Sequence, residues 1–153
     1  LLEGLTLLSE EENVKLIYAG NDGRRIGEMI TRASSSVTFE DYGYLDIDSL
    51  TRLQRNAAVN IYARNPNSLF QQKLIELMAI GRPVIAVPSE SEEARELAED
   101  IGGTLITAST PVEIASVFSG LRATQVGFDR ERLRVYSWSA QTARLQRFLS
   151  TVV

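Results

Sequence analysis

Cysteine and histidine are both absent from the 153 residues of this chain. Their absence excludes disulfide bonds, thiolate nucleophiles, Cys/His zinc sites and a Ser-His-Asp triad. Any chemistry of the chain must therefore use carboxylates, Lys and Arg side chains, hydroxyls, amides, helix dipoles and bound ligands.

An excess of positive charge is also missing. Sixteen basic residues stand against 20 acidic residues, which gives a net charge of -4. This balance provides no general attraction to a nucleic-acid backbone, so we expect no nucleic-acid partner. No apolar run approaches the ~20 residues of a spanning helix. We therefore expect a chain without a transmembrane segment that works in the cytoplasm.

The remaining composition is that of an ordinary globular domain, with 44% hydrophobic and 24% charged residues. Short apolar runs, such as Val14–Ala19, Val59–Tyr62 and Val84–Val87, alternate with segments of helical length. This alternation predicts one α/β domain over residues 1–153, with a parallel sheet between two layers of helices. The last helix is predicted over residues 137–153.

Residues 1–8 have the apolar spacing of a helix, whereas such a fold is expected to open with a strand. We therefore expect the first strand of the sheet to lie outside this sequence. An exposed sheet edge favours pairing with another chain, which makes an oligomer possible. The charge run Glu90–Asp100 predicts a solvated amphipathic helix.

The most informative segment is the predicted helix from about Ser68 to Ile80, which follows a strand directly. Free amides at a helix start bind phosphate well, and we assign that role to Asn67, Ser68 and Leu69. Glu76 lies on the same helix face as Ser68, with Lys73 beside it. A carboxylate there suits the two hydroxyls of a ribose. Alternatively, Glu76 pairs only with Lys73 and Ser68 is only an N-cap.

Residues 73–86 read Lys-Leu-Ile-Glu-Leu-Met-Ala-Ile-Gly-Arg-Pro-Val-Ile-Ala. They resemble the K-x-x-E-Y-M-A-x-G-x-P-V-I-A signature of group 1, family 4-type glycosyltransferases. Further segments that resemble the family, in the same order, are Leu16–Gly20, Thr38–Leu45, Gly102–Leu105 and Tyr136–Ser139.

The resemblance implies the C-terminal, Rossmann-like, donor-binding domain of a GT-B enzyme. It implies a hexosyl-type, retaining transferase of polysaccharide biosynthesis that binds a nucleotide-diphosphate sugar without a metal or other cofactor. The acceptor, a saccharide or lipid-linked saccharide, is expected on a missing N-terminal domain, so the isolated fragment is expected to be inactive. Peripheral association with the inner membrane face fits such an acceptor.

The match is incomplete at one position. The Glu-x7-Glu motif of the family has its first glutamate where this sequence has Ser68. This departure keeps open a non-catalytic nucleotide-sugar-binding or interaction module on the same fold, and a GT-B-like epimerase is a third alternative.

Two further turns are weaker candidates for donor binding. In the first, which contains Asn21, Gly20 allows close backbone approach, and Arg24 or Arg25 follows as a phosphate-binding cation. The alternative there is a solvated arginine. In the second, Tyr44 could stack on a nucleobase, or alternatively its ring could cap the core.

Overall fold

The computed structural model describes residues 1–8, 13–33, 36–65, 72–121 and 129–152. The strands are β1 (Val14–Tyr18), β2 (Val37–Asp41), β3 (Asn60–Ala63), β4 (Val84–Val87) and β5 (Leu105–Thr107). The helices are α1 (Leu2–Leu5), α2 (Gly23–Ala33), α3 (Ile47–Asn56), α4 (Gln72–Ala79), α5 (Glu92–Asp100), α6 (Pro111–Gly120), α7 (Arg130–Arg134) and α8 (Trp138–Val152).

All the described strand pairs are parallel, which confirms the predicted α/β class. β1 pairs with β2, from Val14 opposite Val37 to Tyr18 opposite Asp41. The second sheet has the order β3-β4-β5, with β4 in the centre. The described strands thus form two sheets rather than one continuous sheet.

β4 is the most buried of the described strands. All of its residues, Val84–Val87, are buried, as expected for a strand covered by helices on both faces. Gly81 takes a φ of 82° just after α4, a conformation that favours glycine at a helix end. Pro83 and Pro88 then bound β4 on its two sides.

The two sheets are joined through α1 and α6. Leu1 packs against the apolar cluster around β1 and β2 and also against the cluster around β4 and α6. Gly4 is pressed against Ile114, and a side chain at Gly4 would collide with it. A glycine at position 4 therefore permits the close contact between α1 and α6.

Among the described residues, the outer strands of both sheets have edges without a partner, and β1 and β3 are examples. Tyr18 accepts a hydrogen bond from Tyr42, so the alternate residues Lys15 and Ile17 direct their backbone groups to the other edge of β1. The amides of Asn60 and Arg64 donate hydrogen bonds on the side of β4. The alternate residues Ile61 and Ala63 therefore direct their backbone groups to the other edge of β3. Over the described ranges no strand pairs with either edge.

α8 has an apolar side that is exposed to solvent. Its exposed apolar side chains are Trp138, Leu145, Phe148 and Leu149. Within the described parts of the chain, no helix has the length and hydrophobicity that crossing a membrane requires.

Candidate functional site

The candidate site lies around α4, which follows the carboxyl end of β3. Ligands bind at the carboxyl ends of strands in open parallel sheets, because the helix starts meet there. The predicted phosphate-binding residues Asn67, Ser68 and Leu69 lie outside the described residues. Their role stays a prediction.

Glu76 is half-exposed on α4, with 53% of its side chain accessible. Its Oε2 lies 3.3 Å from the Nζ of Lys73, and its Oε1 accepts a hydrogen bond from the Nε2 of Gln72 at 3.3 Å. The predicted Lys73 pair is therefore present. It does not remove the carboxylate from solvent, so a ligand can still reach Glu76.

Glu76 also lines a groove of about 610 Å3 between α4 and the segment that contains α7 and α8. This volume is in the range of small-molecule sites. We call it the α4–α8 groove; its residues are Gln72, Ile75, Glu76, Ala79, Arg130, Leu133, Arg134, Tyr136, Ser137, Trp138 and Gln141. The groove is mainly apolar, and Glu76, Arg130 and Arg134 bring charge to its lining.

Gly20 and the turn before Tyr44 come together at the ends of β1 and β2. The amide of Gly20 donates a hydrogen bond to the carbonyl of Gly43 at 2.8 Å. Asn21 and Arg24 follow as exposed residues, which agrees with a solvated Arg24 and leaves it accessible to a ligand.

Tyr44 is 83% exposed, so its ring does not cap the core. The candidate residues therefore fall into two groups. Glu76 and Lys73 share α4, whereas Gly20 and Tyr44 lie at the ends of β1 and β2. The α4–α8 groove has none of the second group in its lining.

Sequence reasoning missed a buried polar cluster at the carboxyl ends of β3 and β4. The expectation that Glu90 belongs to a solvated helix is wrong, because α5 begins at Glu92 and the side chain of Glu90 is fully buried. Its Oε2 lies 3.1 Å from the Nε of Arg64 and accepts a hydrogen bond from the amide of Ser91. Tyr62 is buried beside this pair, and that burial, together with the Glu90 carboxylate, raises the pKa of Tyr62.

The described part of the chain brings no three acidic side chains together in a way that would hold a metal ion. Independence from metal ions stays a prediction.

The sequence pattern of the family "Glycosyl transferases group 1" matches residues 1–122. The chain belongs to this family. The family predicted from residues 73–86 is thereby confirmed. No curated protein matches the sequence.

Solved structures, one of them a glycosyltransferase, have the same fold. HepE of Anabaena in complex with UDP-glucose is 22% identical, with a TM-score of 0.56 over 97% of this chain and 40% of that chain. The HepE complex with UDP and glucose has a TM-score of 0.55 at 22% identity, over 96% of this chain and 39% of that chain.

AviGT4, a glycosyltransferase involved in avilamycin A biosynthesis, is 16% identical, with a TM-score of 0.54 over 97% of this chain and 45% of that chain. At these identities the likeness concerns the Rossmann-like fold found in GT-B enzymes. The chain spans less than half the length of these relatives.

Proposed function

We propose that this domain binds a nucleotide-diphosphate sugar and presents it for transfer to an acceptor on another part of the full-length protein. The observation that carries the proposal is the accessible carboxylate of Glu76 on α4, in a chain of the group 1 glycosyltransferase family. The structure of HepE with UDP-glucose supports a donor of this chemical class.

Glu76 accepts hydrogen bonds from the two ribose hydroxyls in this proposal. An ionised carboxylate accepts about four hydrogen bonds. Gln72 and Lys73 use two of these positions, one on each oxygen. The remaining positions suit a vicinal diol, and the exposure of Glu76 gives the diol access.

The diphosphate is held without a metal ion. We assign it to the amides of Asn67, Ser68 and Leu69, with Lys73 on α4 as the cation. Preorganised amides and cations stabilise the charge that grows on the leaving diphosphate, which suits a chain without His or Cys. At the ends of β1 and β2, the turn with Gly20 and Asn21 allows the backbone to approach the donor closely. Arg24 provides a cation there, and Tyr44 provides a stacking surface.

The full-length protein then acts as a retaining hexosyltransferase on a saccharide or lipid-linked saccharide, in the cytoplasm or at the inner membrane face. The isolated domain binds the donor but does not transfer sugar, because the acceptor binds to the N-terminal domain of the full-length protein.

Calorimetry with UDP, ADP and GDP tests the role of Glu76. In Glu76→Gln the affinity for the preferred nucleotide falls about tenfold or more, because a neutral amide replaces a charged acceptor. Glu92→Gln is the matched control, since Glu92 forms an exposed i,i+3 ion pair with Arg95 as Glu76 does with Lys73. Equal affinities in the two variants would refute the assignment.

Ser68 favours a second candidate, a module that binds the nucleotide sugar but does not transfer it. Full-length protein incubated with its nucleotide sugar and candidate acceptors distinguishes the two. Release of nucleoside diphosphate that depends on acceptor supports the transferase, whereas tight binding without release supports the module.

A further inference from the structure

β1 and β3 both present backbone hydrogen-bonding groups to an edge without a described partner. Lys15 and Ile17 direct theirs to the edge of β1 that faces away from β2. Ile61 and Ala63 direct theirs to the edge of β3 that faces away from β4. Such an edge is a template for a further strand, because its N–H and C=O groups are already aligned for pairing.

Two layers of helices cover opposite faces of the domain. α1, α2 and α6 share one apolar cluster with side chains of β1 and β2. α6 also packs on Ile85 and Val87 of β4, whereas α4 and α5 pack on Val84 and Ala86. Successive side chains of a strand point to opposite faces. α1, α2 and α6 therefore lie on one face, and α4 and α5 lie on the other.

The handedness of the crossovers sets the direction in which each sheet grows. A crossover between parallel strands is right-handed in nearly all proteins. α2 connects β1 to β2 on one face, whereas α4 and α5 connect β3, β4 and β5 on the opposite face. In a Rossmann-like fold the strands point the same way, so the two sheets extend in opposite directions, as the halves of a doubly wound sheet do.

α1 identifies β1 and β3 as the two edges that face each other. It contacts both α2 and α6 and leads into β1, so it lies on the side of β1 that faces the other sheet. A right-handed crossover through α1 places the strand before it on the edge of Lys15 and Ile17. With that strand as number 1, the sheets β2-β1 and β3-β4-β5 become the order 3-2-1-4-5-6 of a doubly wound sheet.

We propose that a strand from the segment that precedes residue 1 in the full-length protein inserts between β1 and β3. It runs parallel to both and joins the two sheets into one. The chain spans 39–45% of the length of the solved structures that it matches, so more than half of that length lies outside it.

α3 supports the insertion independently. It connects β2 to β3, which reverses the direction of the β1-to-β2 step, so a right-handed crossover places it on the face opposite α2. None of its residues is buried, and its apolar side chains Leu50 and Leu53 are only partly covered. The inserted strand lies beneath α3 on that face and covers these side chains.

The insertion also relates the two groups of candidate residues to each other. Across one intervening strand, β1 and β3 are about 10 Å apart. The carboxyl end of the inserted strand then lies between the turn that contains Gly20 and the start of α4. Ligands of doubly wound sheets bind in this crevice, where the helices change face.

The test is nuclear magnetic resonance of the deuterated full-length protein, which needs no variant. The amides that point to the two edges are those of Lys15, Ile17, Ile61 and Ala63. We expect their hydrogen exchange to be within about tenfold of that of Leu16, whose amide bonds to β2. We also expect amide–amide NOEs from both edges to one segment, which precedes residue 1.

A proline at the edge gives a second measurement on the full-length protein. Ile17→Pro removes an N–H that a free edge does not use but a paired edge requires. We expect it to lower the midpoint of thermal unfolding by about 5 °C or more relative to the control Ile17→Ala, which keeps the N–H. If Ile17→Pro does not fold, the NOEs of the wild-type protein decide.

Three results overturn the inference. The first is rapid exchange of all four edge amides while Leu16 stays protected. The second is a set of NOEs that disappears on dilution, which shows that a second copy of the chain pairs with the edge. The third is NOEs to any other segment. All three leave the proposed function standing, because no step of the test uses a nucleotide.

Discussion

The two sheets of the domain are stabilised in different ways. In the β3-β4-β5 sheet, the central strand β4 is buried along its whole length, and the ion pair at the strand ends is largely buried too. In the β1-β2 sheet, Lys15 and Ile17 are exposed on β1, and Lys15 forms an exposed ion pair with Glu40 at 2.7 Å. The β3-β4-β5 sheet is thus stabilised mainly by the burial of its central strand, whereas the β1-β2 sheet has a side that is exposed to solvent.

The largest expected effect is in the apolar core. Ile85→Ala in β4 lowers the free energy of unfolding by about 3 kcal/mol or more, because it leaves a cavity where the side chain is fully buried. Ile17→Ala in β1 is the matched control, since 37% of Ile17 is exposed. Urea unfolding measures both variants. A similar loss in both would contradict the difference between the sheets.

The second effect concerns the ion pairs. Arg64→Met lowers the free energy of unfolding by about 2–3 kcal/mol, because it leaves the buried Glu90 carboxylate without its cation. Lys15→Met on the exposed pair produces a much smaller change. The double variant Arg64→Met/Glu90→Gln recovers part of the loss, since it removes the unpaired charge. If the double variant is less stable than Arg64→Met, the loss has another origin.

The smallest effect is the pH dependence of the Lys15–Glu40 pair. The hydrogen bond with Lys15 lowers the pKa of Glu40, and the same bond raises the pKa of Lys15. The contribution of Glu40 is present above its unfolded pKa and is lost as the pH falls through the lowered folded value. The contribution of Lys15 is present below its unfolded pKa and is lost as the pH rises through the raised folded value.

The stability of wild type relative to Lys15→Met/Glu40→Gln should therefore be greatest between these limits. Urea unfolding from pH 3 to 11 tests this, and 1 M salt should reduce the difference because both side chains are partly exposed. A difference that does not change with pH would show that the pair's charges do not contribute.

Local sequence signals predicted the elements of this fold well. The apolar run Val84–Val87, predicted as a strand, is β4, and residues 1–8, predicted as helical, contain α1. Both signals act within a few residues of the element that they define. The family was likewise predicted from short continuous segments, of which residues 73–86 are the most specific.

The burial of Glu90 could not be predicted in the same way. Its position next to a run of charged residues indicated a solvent-exposed side chain, whereas its partner Arg64 lies at the end of a different strand. Only the pairing of β3 with β4 brings the two together. The separation of the strands into two sheets is also a tertiary property, because it depends on which strands become neighbours.

The candidate site is less fully determined than the fold. The Glu76–Lys73 pair followed from helix spacing and is present. The roles of Glu76, Lys73, Asn67, Ser68, Leu69, Gly20, Asn21, Arg24 and Tyr44 in donor binding stay predictions. Helix periodicity places side chains on one face of α4, but it does not tell which part of a nucleotide sugar they meet.

Trp138 is the only tryptophan of the chain, and it is 77% exposed in the lining of the α4–α8 groove that also contains Glu76. The tryptophan fluorescence of this domain therefore comes from a single indole in the lining of the candidate groove. Its emission should be that of a hydrated ring and should shift to shorter wavelength when the groove is covered. The unlabelled protein thus carries its own optical signal for whatever occupies this groove.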